Sequence, residues 1–228
     1  MVESASASGR APSGAAAADL ARILMHLRRR VTSGSDTRQG IMETAISLFA
    51  RRGYAGTSMR DIAAVVGIKA ASLYAHFPDG KEQMLVDGLR EIFEQFLAFV
   101  LAGIDVDMSA EEQLRSVVAQ HTRWQLESEE KASAWDAAAD GVGVADVLSS
   151  ANLKEIHALR AMYHGYVENL VGELCVSETA VERSRAVLAL CDQAKRWHVS
   201  GGGRYDSTEE VAEFVWELVR ELVLVAKR

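Results

Sequence analysis

The sequence is short of the residues that interrupt helices. Only two prolines, Pro12 and Pro78, occur in 228 residues. With Ala, Leu, Val and Glu abundant, that composition predicts an all-α fold. Two cysteines, Cys175 and Cys191, are too few for a disulfide framework and have no metal-ligand spacing. The expected compartment is therefore the reducing cytoplasm. No apolar run approaches the roughly 20 residues that span a bilayer. The start, Met1 to Arg10, has no basic leader followed by an apolar core, so neither a secretory signal nor a membrane role is expected. Missing too are a phosphate-cradling glycine loop, G-x-S-x-G and H-E-x-x-H. Gly201-Gly202-Gly203 follows a helical stretch instead of opening one, and Cys191-Asp192 beside His198 lacks a catalytic spacing. An enzyme is not expected, nor a catalytic residue, a metal or a cofactor.

What is present is apolar mass and divided charge. Apolar residues make up 49% of the chain, enough for a substantial core in one large domain or two small ones. The net charge is −7, but residues 1–90 carry 12 Lys+Arg against 8 Asp+Glu, whereas residues 91–228 carry 13 against 24. A basic N-terminal part suits a nucleic-acid partner; the acidic remainder serves other work or is plain solvated surface.

The basic part contains the stretch around which the chain is organised, Thr57 to Phe77. Thr57 or Ser58 can cap a first short helix. Ile62, Ala63 and Val66 give that helix an apolar side, and Gly67 permits its end. Ile68 plugs the turn, and Lys69 to Ala75 form a second helix with Leu73 inward. Helix, glycine turn, helix is the arrangement whose second helix enters the DNA major groove. Thr37 to Arg52, with Ile41, Ala45, Leu48 and Phe49 on one side, supplies the supporting helix.

The same residues carry a resemblance. Gly53-Tyr54, Arg60-Asp61-Ile62-Ala63, Val66-Gly67-Ile68, Leu73-Tyr74, His76-Phe77 and Lys81-Glu82 resemble the DNA-binding domain of TetR-family transcriptional regulators over roughly Arg38 to Leu89. Pro78-Asp79-Gly80 replaces a shorter link. The resemblance implies that Thr57, Ser58, Tyr74, His76 and Lys81 touch phosphates and that Arg60 meets a base or the backbone. It further implies that Lys69, Ala70, Ala71 and Ser72 meet base edges, Lys69 through guanine acceptors and an alanine through a thymine methyl. It implies a homodimeric repressor on a pseudo-palindromic operator in double-stranded DNA, released by a small-molecule inducer. The alternative is an acidic helical module that binds only a protein partner.

Three regions follow: a 1–36 extension, a 37–80 helix-turn-helix domain, and an 81–228 ligand-binding and dimerisation domain. The extension reads as disordered through residue 18. Asp19 then caps a helix with Leu20, Ile23, Leu24 and Leu27 on one side; it ends in Arg28-Arg29-Arg30, which either reaches DNA or belongs to a loosely docked extension. A long helix runs from Lys81 to about Gly103. Ser109 to Glu112 form a capping box before a helix burying Leu114, Val117, Val118, His121 and Gln125. Lys131 to Ser150 read as a helix broken near Gly141 and Gly143, Asn152 to Cys175 as another, and Glu178 to about His198 as a third capped by Ser177. The last helix, after Ser207 to Glu210, carries a seam of Val211, Val215, Leu218, Leu222 and Val225, expected to form a four-helix dimer interface with the helix before it.

Polar residues on otherwise apolar faces mark a ligand pocket: His121, Trp124, Gln125, His157, Arg160, Tyr163, His164 and Trp197. Each histidine alone also fits a satisfied core group. Arg160 suits an anionic group on the ligand. Arg196 to Gly202 also resembles the corresponding region of family members that answer acyl-CoA thioesters, so the inducer is either acyl-CoA-like or a small aromatic.

Overall fold

The computed structural model describes residues 14–29, 36–128, 130–133, 147–175, 178–200, 205 and 207–224. Among these residues there is no strand; the helices are α1 Gly14–Arg29, α2 Asp36–Arg52, α3 Met59–Val66, α4 Ala70–His76, α5 Lys81–Val100, α6 Ala110–Glu127, α7 Ser150–Leu174, α8 Ala180–Asp192, α9 Ala194–Ser200 and α10 Thr208–Val223. The chain divides into two compact units. The first comprises His26–Phe96 and Ser128–Ala161; the second comprises the residues up to Met25, Leu97–Glu127 and Met162 onward.

In the first unit, α2 buries Ile41, Ala45, Leu48 and Phe49, as their spacing predicts. α5 buries Met84, Leu85, Leu89, Ile92, Phe93 and Phe96. The two helices approach closely at Gly88, where an added Cβ would lie 2.5 Å from the Ile46 Cδ1. Charged side chains tie three helices together. Arg38 reaches Asp87 at 2.5 Å, and Arg90 reaches Asp87 at 2.6 Å and Glu155 of α7 at 2.5 Å. One turn earlier on α5, the Glu82 Oε1 accepts from the Ser149 amide at 2.6 Å and from the Asn152 Nδ2 at 2.8 Å. Glu82 thus serves the orphan donors at the start of α7, and these hydrogen bonds hold its carboxyl below the usual range.

In the second unit, α6 begins with the expected capping box: the Ser109 amide donates to Glu112 at 2.8 Å and the Glu112 amide to the Ser109 Oγ at 3.3 Å. Its inward side buries Leu114, Val117, Val118, His121 and Gln125, and α10 packs on α6. Tyr166 of α7 is fully buried and donates its hydroxyl to the Gln113 Oε1 at 2.7 Å.

Several expectations need correction. α1 starts at Gly14, inside the stretch read as disordered, because Ala16, Leu20 and Ile23 are buried and offset the ordering entropy; residues 1–13 lie outside the described residues. Asp19 sits within α1, not at its cap, where its carboxylate takes Asn169 Nδ2 at 2.7 Å and Arg22 at 3.1 Å. α5 ends at Val100, before Gly103. The helix read as Glu178–His198 begins at Ala180 and divides at Gln193 into α8 and α9; Ser177 is outside the described residues, as are Gly141 and Gly143 of the proposed break. The α10 seam mixes two faces. Val211 and Val215 point into the unit's core with Val219 and Val223, while Leu218 and Leu222 are half-exposed; Val225 is outside the described residues.

Candidate DNA interface and ligand site

The helix-turn-helix is built from local chemistry. Ser58 is the N-cap of α3: its Oγ accepts from the Asp61 amide at 3.2 Å, and the Asp61 Oδ2 accepts from the Ser58 amide at 2.7 Å. The Ser58 hydroxyl, which donates to the Asp61 Oδ2 at 2.5 Å, and then the Ser58 amide hold that carboxyl below the usual carboxylate range. Gly67 ends α3 at φ 79°, with its amide on the Ala63 carbonyl at 2.9 Å. That left-handed conformation costs a residue with a Cβ about 1–2 kcal/mol, which explains the glycine. The following helix α4 starts without a side-chain cap and is secured by its core, Leu73 and, just past its end, Phe77, both fully buried. The Arg38 guanidinium lies over the Phe77 ring at 4.4 Å.

This packing turns one side of α4 outward. Lys69, Ala71, Ser72 and Tyr74 are exposed, as are Ser58 and Arg60 of the preceding helix; Ala70 and His76 are half-exposed. Short side chains at 70–72 let a helix approach base edges, and Tyr74, half of whose surface is open, stands beside them. Two expected phosphate contacts sit differently. Thr57 is buried and donates its hydroxyl to the Gly53 carbonyl at 3.0 Å. Lys81 donates to the carbonyls of Tyr54 at 2.8 Å and Thr57 at 2.7 Å and covers the Tyr54 ring at 4.2 Å. Lys81 therefore fastens the loop before α3 onto the start of α5.

The second unit gathers part of the expected ligand set. His121 is buried, with its Nε2 at 3.0 Å from the Asp192 Oδ1 and its Nδ1 at 3.1 Å from the Tyr163 hydroxyl. Gln125 donates to the same Asp192 oxygen at 3.3 Å. Burial opposes a charge on His121, but its bonds to Asp192 and Cys191 prevail and push it up to about 10. Burial, with Cys191 and Asp192 near, raises Tyr163 well above the ordinary tyrosine value. The Gln125 Oε1 and the Thr122 Oγ1 are buried with no hydrogen-bond partner in the protein. Trp124 packs on Phe99 at 5.6 Å and His164 on Tyr163 at 6.3 Å. His157, exposed, and Arg160, half-exposed, fall in the first unit, on the opening turns of α7. The Trp197 side chain lies outside the described residues. Asp192, the hub of this cluster, escaped the sequence reading, because no local spacing links it to His121.

Among the described residues no helix is long and apolar enough to cross a membrane, and no group of three or more His, Cys, Asp or Glu could hold a metal ion.

Comparison with known proteins places these elements. Residues 41–87 match the family of bacterial regulatory proteins, tetR family. The biofilm operon negative transcriptional regulator IcaR of Staphylococcus epidermidis is 41% identical over 69 residues, 30% of this chain and 37% of IcaR. The transcriptional repressor KstR2 of Rhodococcus jostii is 42% identical over 79 residues, 32% of this chain and 38% of KstR2. The chain thus spans under two fifths of the length of either relative. The fold extends further. A tetR-family regulatory protein from Rhodococcus RHA1 has a TM-score of 0.71 at 22% identity, covering 84% of this chain and 98% of its own. AibR, solved with isovaleryl coenzyme A and operator DNA, has a TM-score of 0.66 at 23% identity, covering 82% and 98%. The match to the tetR family of bacterial regulatory proteins thus falls on residues 41–87, the segment that holds the helix-turn-helix.

Proposed function

We propose that the chain is a homodimeric, ligand-responsive repressor acting in the cytoplasm, with residues 37–80 binding a pseudo-palindromic operator and residues 81–228 binding ligand and forming the dimer. The observation that carries this reading is the outward face of α4: short side chains flanked by Lys69, Tyr74 and Arg60, on a helix locked from behind by Leu73 and Phe77. The tetR-family match over residues 41–87 supports it. In the dimer, the half-exposed Phe214, Leu218 and Leu222 of α10 meet their symmetry mates alongside α8. Two-fold symmetry sets half-sites about 34–36 Å apart, or a multiple of that.

The ligand site is the cluster around His121, Gln125 and Tyr163. Two orphaned buried atoms, the Gln125 Oε1 and the Thr122 Oγ1, favour a ligand group that can donate a hydrogen bond, since an unpaired buried acceptor costs about 1–3 kcal/mol. With Trp124 and Phe99 packed together in the same unit, the preferred inducer is a small aromatic bearing a hydroxyl. A second class is an acyl-CoA thioester; isovaleryl coenzyme A is what AibR holds. Release follows when the ligand binds the DNA-free state more tightly.

The test is operator binding by fluorescence anisotropy at two salt concentrations, then release by a phenol and by isovaleryl coenzyme A. A steep salt dependence and preference for one palindrome are expected. Equal affinity for that palindrome and for random duplex would overturn the repressor reading and favour the protein-interaction module. If neither ligand releases DNA, the pocket assignment fails while DNA binding stands.

A further inference from the structure

Within the first unit, α2, α5 and residues 130–131 border an open cavity of about 570 Å³, a size that suits a small organic ligand. It is separate from the His121 cluster, which lies in the second unit. Its floor is apolar: Met42, Ile46 and Leu48 of α2 and Ile92 of α5. Val65 of α3, 59% exposed, stands at its edge. Gly88 keeps the floor low, because any larger residue there would meet Ile46.

The rim carries three carboxylates and two cations. The cations are already engaged: Arg51 lies 3.8 Å from Glu130, and the Lys131 Nζ donates to the Gln95 Oε1 at 2.7 Å. Glu130 also takes the Ser47 hydroxyl at 2.9 Å. Glu43 and Glu91 are held differently. Glu43 accepts from the Gln39 Nε2 at 2.9 Å, and Glu91 accepts from Gln39 and, at 3.0 Å, from the Gln95 Nε2. Both are thus held by neutral amides and share the Gln39 Nε2, and among the described residues no cation pairs with either. Two oriented carboxylates over an apolar floor complement a ligand with a positive head and a hydrophobic body.

We infer that this cavity binds a small organic cation, its ammonium group between Glu43 and Glu91 and its apolar part on Met42, Ile46 and Val65. Helices α2 and α3 both touch the bound molecule, and α3 leads directly through Gly67 into α4. Occupancy therefore biases the conformation of the DNA-reading pair, giving the protein a second input independent of the His121 site.

Isothermal titration of the full chain with decyltrimethylammonium, and with decanoate as the anionic counterpart, both below their micelle concentrations, tests this. Decyltrimethylammonium should bind roughly tenfold or more tightly than decanoate, as expected where charge-assisted contacts are made to one sign only. The Glu43→Gln, Glu91→Gln double variant should lose that preference while its thermal unfolding stays cooperative. Ile46→Trp, which fills the floor, should weaken both probes. His121→Ala should leave cation binding unchanged, which separates this site from the proposed inducer pocket. No binding of decyltrimethylammonium to the wild type, equal binding of the two probes, or a preference retained by the double variant would each overturn the inference, whatever the outcome of the operator experiments.

Discussion

Tyr74 and His121 show how differently two residues in this chain are held. Tyr74 is half-open on the outer side of α4, while Leu73 beside it fills the core. Replacing Tyr74 by Ala should lower operator affinity roughly tenfold, about 1.4 kcal/mol, with the unfolding temperature unchanged; a matching loss of stability would show that the ring serves packing instead. His121 is buried against Asp192 and raised from 6.5 to about 10. A raised folded value means that the stabilisation is complete below about pH 6.5, where the unfolded histidine is protonated too, and is lost as pH climbs toward 10. Wild type should therefore lose more stability than His121→Gln between those limits, measured by urea unfolding at several pH values. Parallel pH profiles for the two proteins would refute the charged pair. The histidine itself was visible in the sequence as a polar member of an apolar stripe. Its charge state was not, since that depends on Asp192 from another helix.

At the scale of elements, what the sequence revealed was whatever local chemistry decides. A cap at Ser58, one of the two positions offered, the Gly67 stop and the inward Leu73 need only neighbours within a few residues, and each is found in the structure. The errors fall where packing decides. Spacing alone could not tell that Val211 and Val215 join Val219 and Val223 in the core while Leu218 and Leu222 stay half-exposed, because one hydrophobic helix surface grades into the next. Lys81 illustrates the same limit: its family position suggested a phosphate, yet its ammonium holds two carbonyls of the loop before α3. Glu82 ties α5 to the start of α7. Glu82→Ala should speed hydrogen exchange at Ser149 and through the first turn of α7. Because the carboxyl is held below 4.5 in the folded chain, the same loosening should appear in wild type as pH falls through that lowered value. Unchanged protection in the variant would show that packing alone secures the helix start.

For the whole molecule, the charge division and the half-exposed apolar residues of α10 are what assembly must answer to. Leu218→Asp, at a half-exposed position of the protomer, should leave the fold cooperative and shift sedimentation from dimer to monomer at micromolar concentration. A dimer that survives this change would place the interface elsewhere. The order of the segments has another consequence. The first unit is not one continuous run: residues 128–161 return to it after the chain has left, and they bring Ser149, Asn152 and Glu155 to Glu82 and Arg90. A chimera made at a single junction after α5, joining the helix-turn-helix part to the remainder of another chain of this fold, would strand both acidic and basic grips without their partners. Exchange of the second unit between chains of this fold, in the laboratory or by recombination, needs two crossovers here, so the opening turns of α7 should be inherited with the helix-turn-helix rather than with the second unit.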